Sequence, residues 1–231
     1  MGSPVIANIT ALVLAGGRAT RMGGVDKGLQ MFNGTPLALH ALQRLQSAPN
    51  PWLSAFAVNS NRHFDAYTEW SYPVWPDTLP EQPGPLAGFL TGMRHCATSH
   101  LLTLPCDAPN FPTDLVARLA EAFERYDVEI AVASAPDEEG FLRRQPVFAL
   151  MHIKLADSLE AYIRSGGRKV GQWMAERITT EVSFNRPSDD PTAFMNINTL
   201  DSLHALNARN DCEPASFGPC PFTTPNRARS E

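Results

Sequence analysis

Short apolar runs alternate with amphipathic stretches along most of the chain. Thr10–Ala15 is a compact apolar run ended by Gly16-Gly17, the pattern of a buried strand. Pro36 opens a helix whose Ala38, Ala41, Leu42 and Leu45 fall at i, i+3, i+4 and i+7. Pro49 and Pro51 end it, since proline cannot continue a helix. Leu53–Val58 predicts a second strand, Arg62–Glu69 a short helix and Tyr72–Trp75 a brief third strand. A proline-rich connection leads to Gly84 and a helix running to about Thr98. His100–Leu104 predicts a fourth strand, and Pro112–Tyr126 a helix with Leu115, Leu119, Ala122, Phe123 and Tyr126 inward. Val128–Ala133 and Gln145–Met151 predict two more strands. The helix that follows places Leu155, Leu159, Tyr162 and Ile163 on one face and stops at Gly166-Gly167. Val182–Phe184 and Ala193–Ile197 predict short late strands, and Leu200–Ala208 the last helix.

Regular alternation of strand and helix through the first 135 residues predicts an α/β fold with a mostly parallel sheet and helices on both faces. In such sheets ligands sit beyond the carboxyl ends of the strands. The glycine loop at Gly16, Asn59, Asp77 and Asp107 all fall at predicted strand ends, so they are expected to converge on one crevice. Residues 1–211 predict a single domain. The last twenty residues, 212–231, hold four prolines and no hydrophobic period, and predict a flexible tail.

Composition narrows the partners. A hydrophobic fraction of 43% suits a chain that buries a full core. No apolar run approaches the ~18 residues a membrane-spanning helix needs. Met1–Asn8 lacks a basic segment followed by a long apolar one, so no signal peptide is expected. Net charge is −5, without a basic block, which argues against nucleic acid as partner. The four cysteines, Cys96, Cys106, Cys212 and Cys220, form no C-x-x-C pair and predict free thiols in a reducing cytoplasm.

Candidate chemistry concentrates behind the first strand. The segment Leu14-Ala-Gly-Gly-Arg-Ala-Thr-Arg-Met-Gly-Gly-Val-Asp-Lys27 carries four glycines, two arginines and a lysine. Glycines let backbone N–H groups approach an anion closely, and Arg18, Arg21 and Lys27 add positive charge. The loop predicts a polyphosphate site. It is not a Walker A motif, because Leu29 follows Gly28 where lysine is required. It is not a dinucleotide fingerprint either, because Gly16 and Gly17 are adjacent and Ala19 follows.

The pattern L-A-G-G-x-x-x-R-M-G-G-x-D-K resembles the signature loop of nucleotidyltransferases, and in its Gly-Gly form that of the molybdenum cofactor guanylyltransferases. The resemblance continues in order through Gly84-Pro-Leu-Ala-Gly88, Pro105-Cys-Asp107, Arg144-Gln-Pro-Val-Phe148 and Asn196-Ile-Asn-Thr199. One departure is Leu200, where the family usually has proline. The resemblance implies a three-layer α/β/α Rossmann-like nucleotidyltransferase fold. It also implies transfer of GMP from GTP to molybdenum-loaded molybdopterin, with release of pyrophosphate.

By the same resemblance, Leu14, Ala15, Gly16 and Gly17 contact the nucleotide, the first three by their backbones at the base or ribose. Lys27 reaches the α-phosphate with Arg21 beside it. Asn59 and Asp77 match further nucleotide-contacting positions, and Asp77 can accept from guanine N1–H and its exocyclic amine. Asp107 binds Mg²⁺. Gly84, Gly88, Asn196 and Asn198 are candidate contacts to the acceptor or to a second metal position.

Plainer roles stay open at this point: a turn or cap for Asp107, turns for Asn59 and Asp77, and a helix N-cap for Asn198. The resemblance further implies hand-over partners, other cofactor-biosynthesis proteins and apo-molybdoenzymes. Rival functions are a cytidylyltransferase for molybdopterin, a sugar- or polyol-phosphate nucleotidyltransferase, and a non-catalytic nucleotide- or cofactor-binding, chaperone-like module that hands cofactor to apoenzymes. The first two usually carry L-A-A-G, against which Gly17 argues.

Overall fold

The structure, a computed structural model, describes residues 8–16, 25–48, 50–79 and 84–210. The expected tail, 212–231, lies outside the described residues, as do Gly17, Arg18 and Arg21.

The first apolar run becomes β1 (Ile9–Leu14), the hub of the sheet. It pairs in parallel with β4 (Leu53–Asn59) on one side and β6 (His100–Pro105) on the other. A short β5 (Val74–Trp75) extends the sheet beyond β4. Every residue of β1 from Ile9 to Val13 is buried, as expected of a strand covered on both faces. Between β1 and β4 lie a 3₁₀ turn at Lys27–Leu29, a hairpin of β2 (Met31–Phe32) and β3 (Thr35–Pro36), and α1 (Leu37–Gln46). Positive φ at both Asn33 and Gly34 makes the tight hairpin turn, a two-residue geometry that Asn-Gly favours.

Helices cover both faces. On one, α1 and α4 (Leu115–Tyr126) pack Leu42, Leu45, Leu119 and Phe123 against Ala11, Val13 and Leu104. On the other, α3 (Pro85–His95) packs Leu86, Phe89 and Met93 against Leu12 and Leu101. That second layer is completed by α5 (Ala156–Arg164) and by α6 (Val170–Ala175), which buries Trp173 fully. The short α2 (Phe64–Thr68) follows β4. This three-layer arrangement confirms the expected fold class. No helix among the described residues is long and apolar enough to cross a membrane.

Within the seven-stranded sheet, among the described residues, antiparallel pairing enters only through β8 (Leu142–His152), which lies between β6 and β7 (Ile130–Pro136) and runs against both. The edge strand β9 (Thr179–Ser183) returns parallel to β7. Three expectations need correction. Residues 193–197 form a turn and irregular chain instead of a strand. The Asp190 carboxylate accepts from both Thr192 N and Thr192 Oγ1 at 2.8 Å, and Ala193 N and Met195 N donate to Asp190 O and Thr192 O, so the ladder groups are already spent. Tyr126 is exposed, because the buried stripe of α4 (Leu115, Val116, Leu119, Ala120, Phe123) ends one turn earlier and the chain leaves through left-handed Asp127. The period also missed α6, whose six residues are too few for a helical repeat to stand out.

Candidate functional site

Three strand ends meet at the carboxyl edge of the sheet. Cys106 N donates to Leu14 O at 3.1 Å and Ala15 N donates to Asn59 O at 2.9 Å. The ends of β1, β4 and β6 are therefore held in register, which sets Gly16, Asn59 and Asp107 along one edge of the sheet.

The first cluster surrounds Lys27. Its ammonium donates to Asp107 Oδ2 at 2.8 Å and to Asn198 Oδ1 at 3.4 Å, so residues from three distant parts of the chain converge on one point. Both ionic partners are largely but not fully buried, with side-chain exposures of 21% and 18%. Ile197 N donates to Asp107 O at 2.7 Å and locks the late loop against the end of β6. Ile197 also buries its side chain with Phe32, Leu37 and Leu203, which moors that loop to the hairpin.

The cap role left open for Asn198 belongs to its neighbours. Ser202 N donates to Thr199 Oγ1 at 3.0 Å and Thr199 N donates to Ser202 Oγ at 3.1 Å. This reciprocal cap starts α7 (Leu200–Asn210) and leaves the Asn198 amide to face Lys27. Asn196 is exposed.

Lys27 is itself aimed by a buried pair that sequence reasoning passed over. Asp26 is 6% exposed, and its Oδ1 accepts from Gly28 N at 3.0 Å and from the Tyr67 hydroxyl at 2.7 Å. Gln30 Nε2 donates to Asp26 O at 3.0 Å. These bonds fix the 3₁₀ turn on which Lys27 stands. Burial, followed by the Asp26 carboxylate, pushes the Tyr67 phenol far above its ordinary value, so it remains a donor. A Cβ on Gly28 would meet that hydroxyl at 2.3 Å, which explains the glycine there. The only sequence signal was the Asp-Lys pair itself; nothing marked Tyr67, on a short helix, as its partner.

The second cluster lies between β4 and β5. Asn59 is buried, and its Nδ2 donates to Trp75 O and to Asp77 Oδ1, both at 2.9 Å. Asn61, absent from the sequence-based candidates, accepts from Asp77 N at 2.7 Å and donates to Asp77 Oδ2 at 2.7 Å. Gly16 touches this cluster: a Cβ there would sit 3.0 Å from Asn61 Nδ2 and 3.5 Å from Asn59 Oδ1.

Gly88, buried in α3, packs on the same amide. Its Cβ would meet Asn59 Oδ1 at 2.7 Å and a Leu14 methyl at 2.8 Å, so glycine lets the helix approach the sheet. Gly84 caps α3 with φ +69, a left-handed conformation that favours glycine.

Cys106 adds no nucleophile. Burial, then Asp107 and Asp26, push its thiol well above the ordinary range, and the thiolate is what reacts. Among the described residues no three His, Cys, Asp or Glu side chains gather as a metal cage. What remains for a cation is a sparse set of hard oxygens, the Asp107 carboxylate and the Asn198 amide, meeting where the Lys27 ammonium now sits. Such a set fits an ion that keeps most of its shell as water and phosphate oxygen. An open groove of about 790 Å³, lined by residues including Tyr162, Arg168, Lys169 and Arg177, lies apart between α5 and α6 and contains none of the predicted site residues.

Residues 11–180 match the model of the MobA-like NTP transferase domain. A molybdenum cofactor guanylyltransferase of Acidovorax ebreus is 51% identical over 204 residues, covering 86% of this chain and 95% of its own length. One from Cupriavidus taiwanensis is 48% identical over 202 residues, covering 87% and 98%. Among solved structures, the molybdopterin-guanine dinucleotide biosynthesis protein A of Archaeoglobus fulgidus superposes with a TM-score of 0.68 at 20% identity, over 87% of this chain and 98% of that one. A 4-diphosphocytidyl-2C-methyl-D-erythritol synthase from Anaerococcus prevotii gives 0.67 at 11% identity, over 89% and 96%. At these identities the two structures establish a shared fold.

Proposed function

The chain belongs to the MobA-like NTP transferase family, and we propose that it transfers GMP from GTP to molybdenum-loaded molybdopterin, forming molybdopterin guanine dinucleotide and releasing pyrophosphate. The observation that carries this reading is the meeting of Lys27, Asp107 and Asn198 at the strand ends, beside a carboxylate, Asp77, held by two amides.

The two clusters divide the nucleotide between them. Asp77 accepts from guanine N1–H and the exocyclic amine, a donor pair that adenine and cytosine do not present. Backbone groups of Leu14, Ala15 and Gly16, at the end of β1, lie between the clusters and take the ribose. Lys27 takes the α-phosphate. In the absence of nucleotide its charge is held by Asp107; with triphosphate bound, Lys27 turns to phosphate oxygen and Asp107 becomes available to Mg²⁺, with Asn198 alongside. When bound, the ion neutralises phosphate charge and charge building on the leaving pyrophosphate.

An oxygen of the acceptor's terminal phosphate forms the new bond to the α-phosphorus, and the bond from that phosphorus to pyrophosphate breaks. The nucleophile is already an anion, so no general base is needed, in keeping with a site whose one cysteine is held as thiol. Catalysis is positioning plus charge stabilisation by preset groups.

Titration calorimetry with GTP, CTP, ATP and UTP, each with Mg²⁺, tests the reading. GTP binds tightest if it holds; tighter binding of CTP overturns the guanylyl assignment in favour of the cytidylyl one.

A further inference from the structure

The geometry points to Asn61 as the residue that positions Asp77 for guanine, and so as a determinant of base selection; this rests on the functional reading above. Two bonds of opposite polarity fix the Asn61 amide. Its oxygen accepts from Asp77 N and its nitrogen donates to Asp77 Oδ2, each at 2.7 Å. Turning the amide over would place nitrogen against an N–H and oxygen against a carboxylate, so one orientation is enforced. Asn59 holds the other oxygen, Oδ1, at 2.9 Å, and is itself anchored to Trp75 O.

The Asp77 carboxylate is thereby gripped at both oxygens and at its own backbone nitrogen. Thr78, the next residue, is held from α3, its N donating to Thr91 Oγ1 at 3.3 Å. An ionised carboxylate offers about four acceptor sites, so one hydrogen bond at each oxygen leaves one further site on each. Two parallel acceptors at fixed spacing match the two adjacent donors of guanine, N1–H and the 2-amino group. Because such a pair works only when both oxygens face the base edge together, the orientation that Asn61 imposes is what converts a surface carboxylate into a guanine reader. Asn61 is positioned to do this without touching the base.

The role separates from a purely structural one by ratios of affinities. Wild type, Asn61→Ala and Asn61→Asp are titrated with GTP, ITP and ATP in the presence of Mg²⁺, and thermal unfolding is followed in parallel. ITP keeps N1–H and lacks the 2-amino group. Asn61→Asp keeps the shape, loses the donor and sets a second negative oxygen against Asp77. Asn61→Ala, on a surface bend, removes both bonds without adding charge and is the variant of record should the aspartate fail to fold.

The preference of wild type for GTP over ATP is expected to shrink by about ten- to a hundred-fold in the variants, the worth of one charge-assisted hydrogen-bond arrangement. The GTP-to-ITP ratio falls toward one, while ATP affinity changes less than about threefold, because adenine lacks the N1–H and 2-amino donors that the Asp77 carboxylate reads. Equal weakening of all three nucleotides, or unchanged ratios, overturns the inference and leaves the guanylyl reading standing. A wild type that does not favour GTP over ATP overturns both.

Discussion

Replacing Tyr67 by phenylalanine removes one oxygen and leaves a fully buried ring in place. The lost hydroxyl supplies one of two hydrogen bonds to Asp26 Oδ1, at 2.7 Å, and the remaining one comes from Gly28 N at 3.0 Å. Asp26 is 6% exposed and Tyr67 is at 0%, so water does not reach in to replace the donor. Hydrogen bonds to charged groups are worth about 1.5–3 kcal/mol, and a buried acceptor left short loses most of that. A cost of about 2 kcal/mol corresponds to a fall of about 4–8 °C in Tm for a chain of this size. Lys27 stands on the turn that Asp26 fixes, so GTP affinity falls as well.

Urea denaturation in a double-mutant cycle with Asp26→Ala isolates the pair. With the carboxylate gone, the hydroxyl has lost its acceptor, and Tyr67→Phe should cost nothing or stabilise. An equal cost in both backgrounds, or a cost under about 0.5 kcal/mol in the wild type, refutes the argument that this bond anchors the Lys27 turn.

Three further outcomes are expected. Asp107→Asn keeps the side chain's shape and removes the charge, so metal-dependent turnover falls by about 10²–10³, by analogy with removing one group that stabilises transition-state charge, while GTP still binds; near-normal turnover at low Mg²⁺ would return Asp107 to a turn role. Gly88→Ala drives a methyl to 2.7 Å from Asn59 Oδ1 and costs about 1–3 kcal/mol of stability, whereas Gly171→Ala in α6, with nothing within 4 Å, gains up to about 1 kcal/mol; unfolding curves that show the two substitutions alike refute the packing argument. His100 is 8% exposed, and burial, then His152 and Lys154, lower its pKa to about 4. The unfolded chain therefore binds the extra proton first, so the stability this residue contributes is present above about pH 6.5 and is lost as pH falls through about 4, to the extent of about 2–3 kcal/mol; His100→Asn should flatten that part of the stability profile measured by denaturation.

The first half of the fold was legible because β1, β4, β5 and β6 are short apolar runs closed by glycine, proline or asparagine and α1 shows a clear face, whereas β2 and β3, two residues each, are too short for any period to mark. The same strand ends placed Asn59, Asp77 and Asp107 on one edge before any contact was known. Legibility declined after Pro136. There β8 reverses direction, and no feature of an apolar run such as Gln145–Met151 says which neighbour it pairs with or in which sense. Residues 193–197 look like a strand because Ala193, Phe194 and Ile197 are apolar, yet turn bonds from Ala193 N to Asp190 O and from Met195 N to Thr192 O take backbone groups a ladder would need. Asn61 and Tyr67 stayed hidden for another reason. Each acts through a second residue, and such a role depends on contacts across the fold that spacing along the chain does not record.

Lys27 and Asp107 at the strand ends are expected to move the GMP of GTP onto molybdopterin. Incubating the full chain with molybdenum-loaded molybdopterin, Mg²⁺ and GTP labelled at the α-phosphate, with α-labelled CTP in a parallel reaction, tests it directly. Label is expected in a molybdopterin guanine dinucleotide with one pyrophosphate released per transfer, and CTP and the Lys27→Ala variant transfer little. Label that enters a cytosine dinucleotide more readily, or transfer undiminished without Lys27, would contradict it.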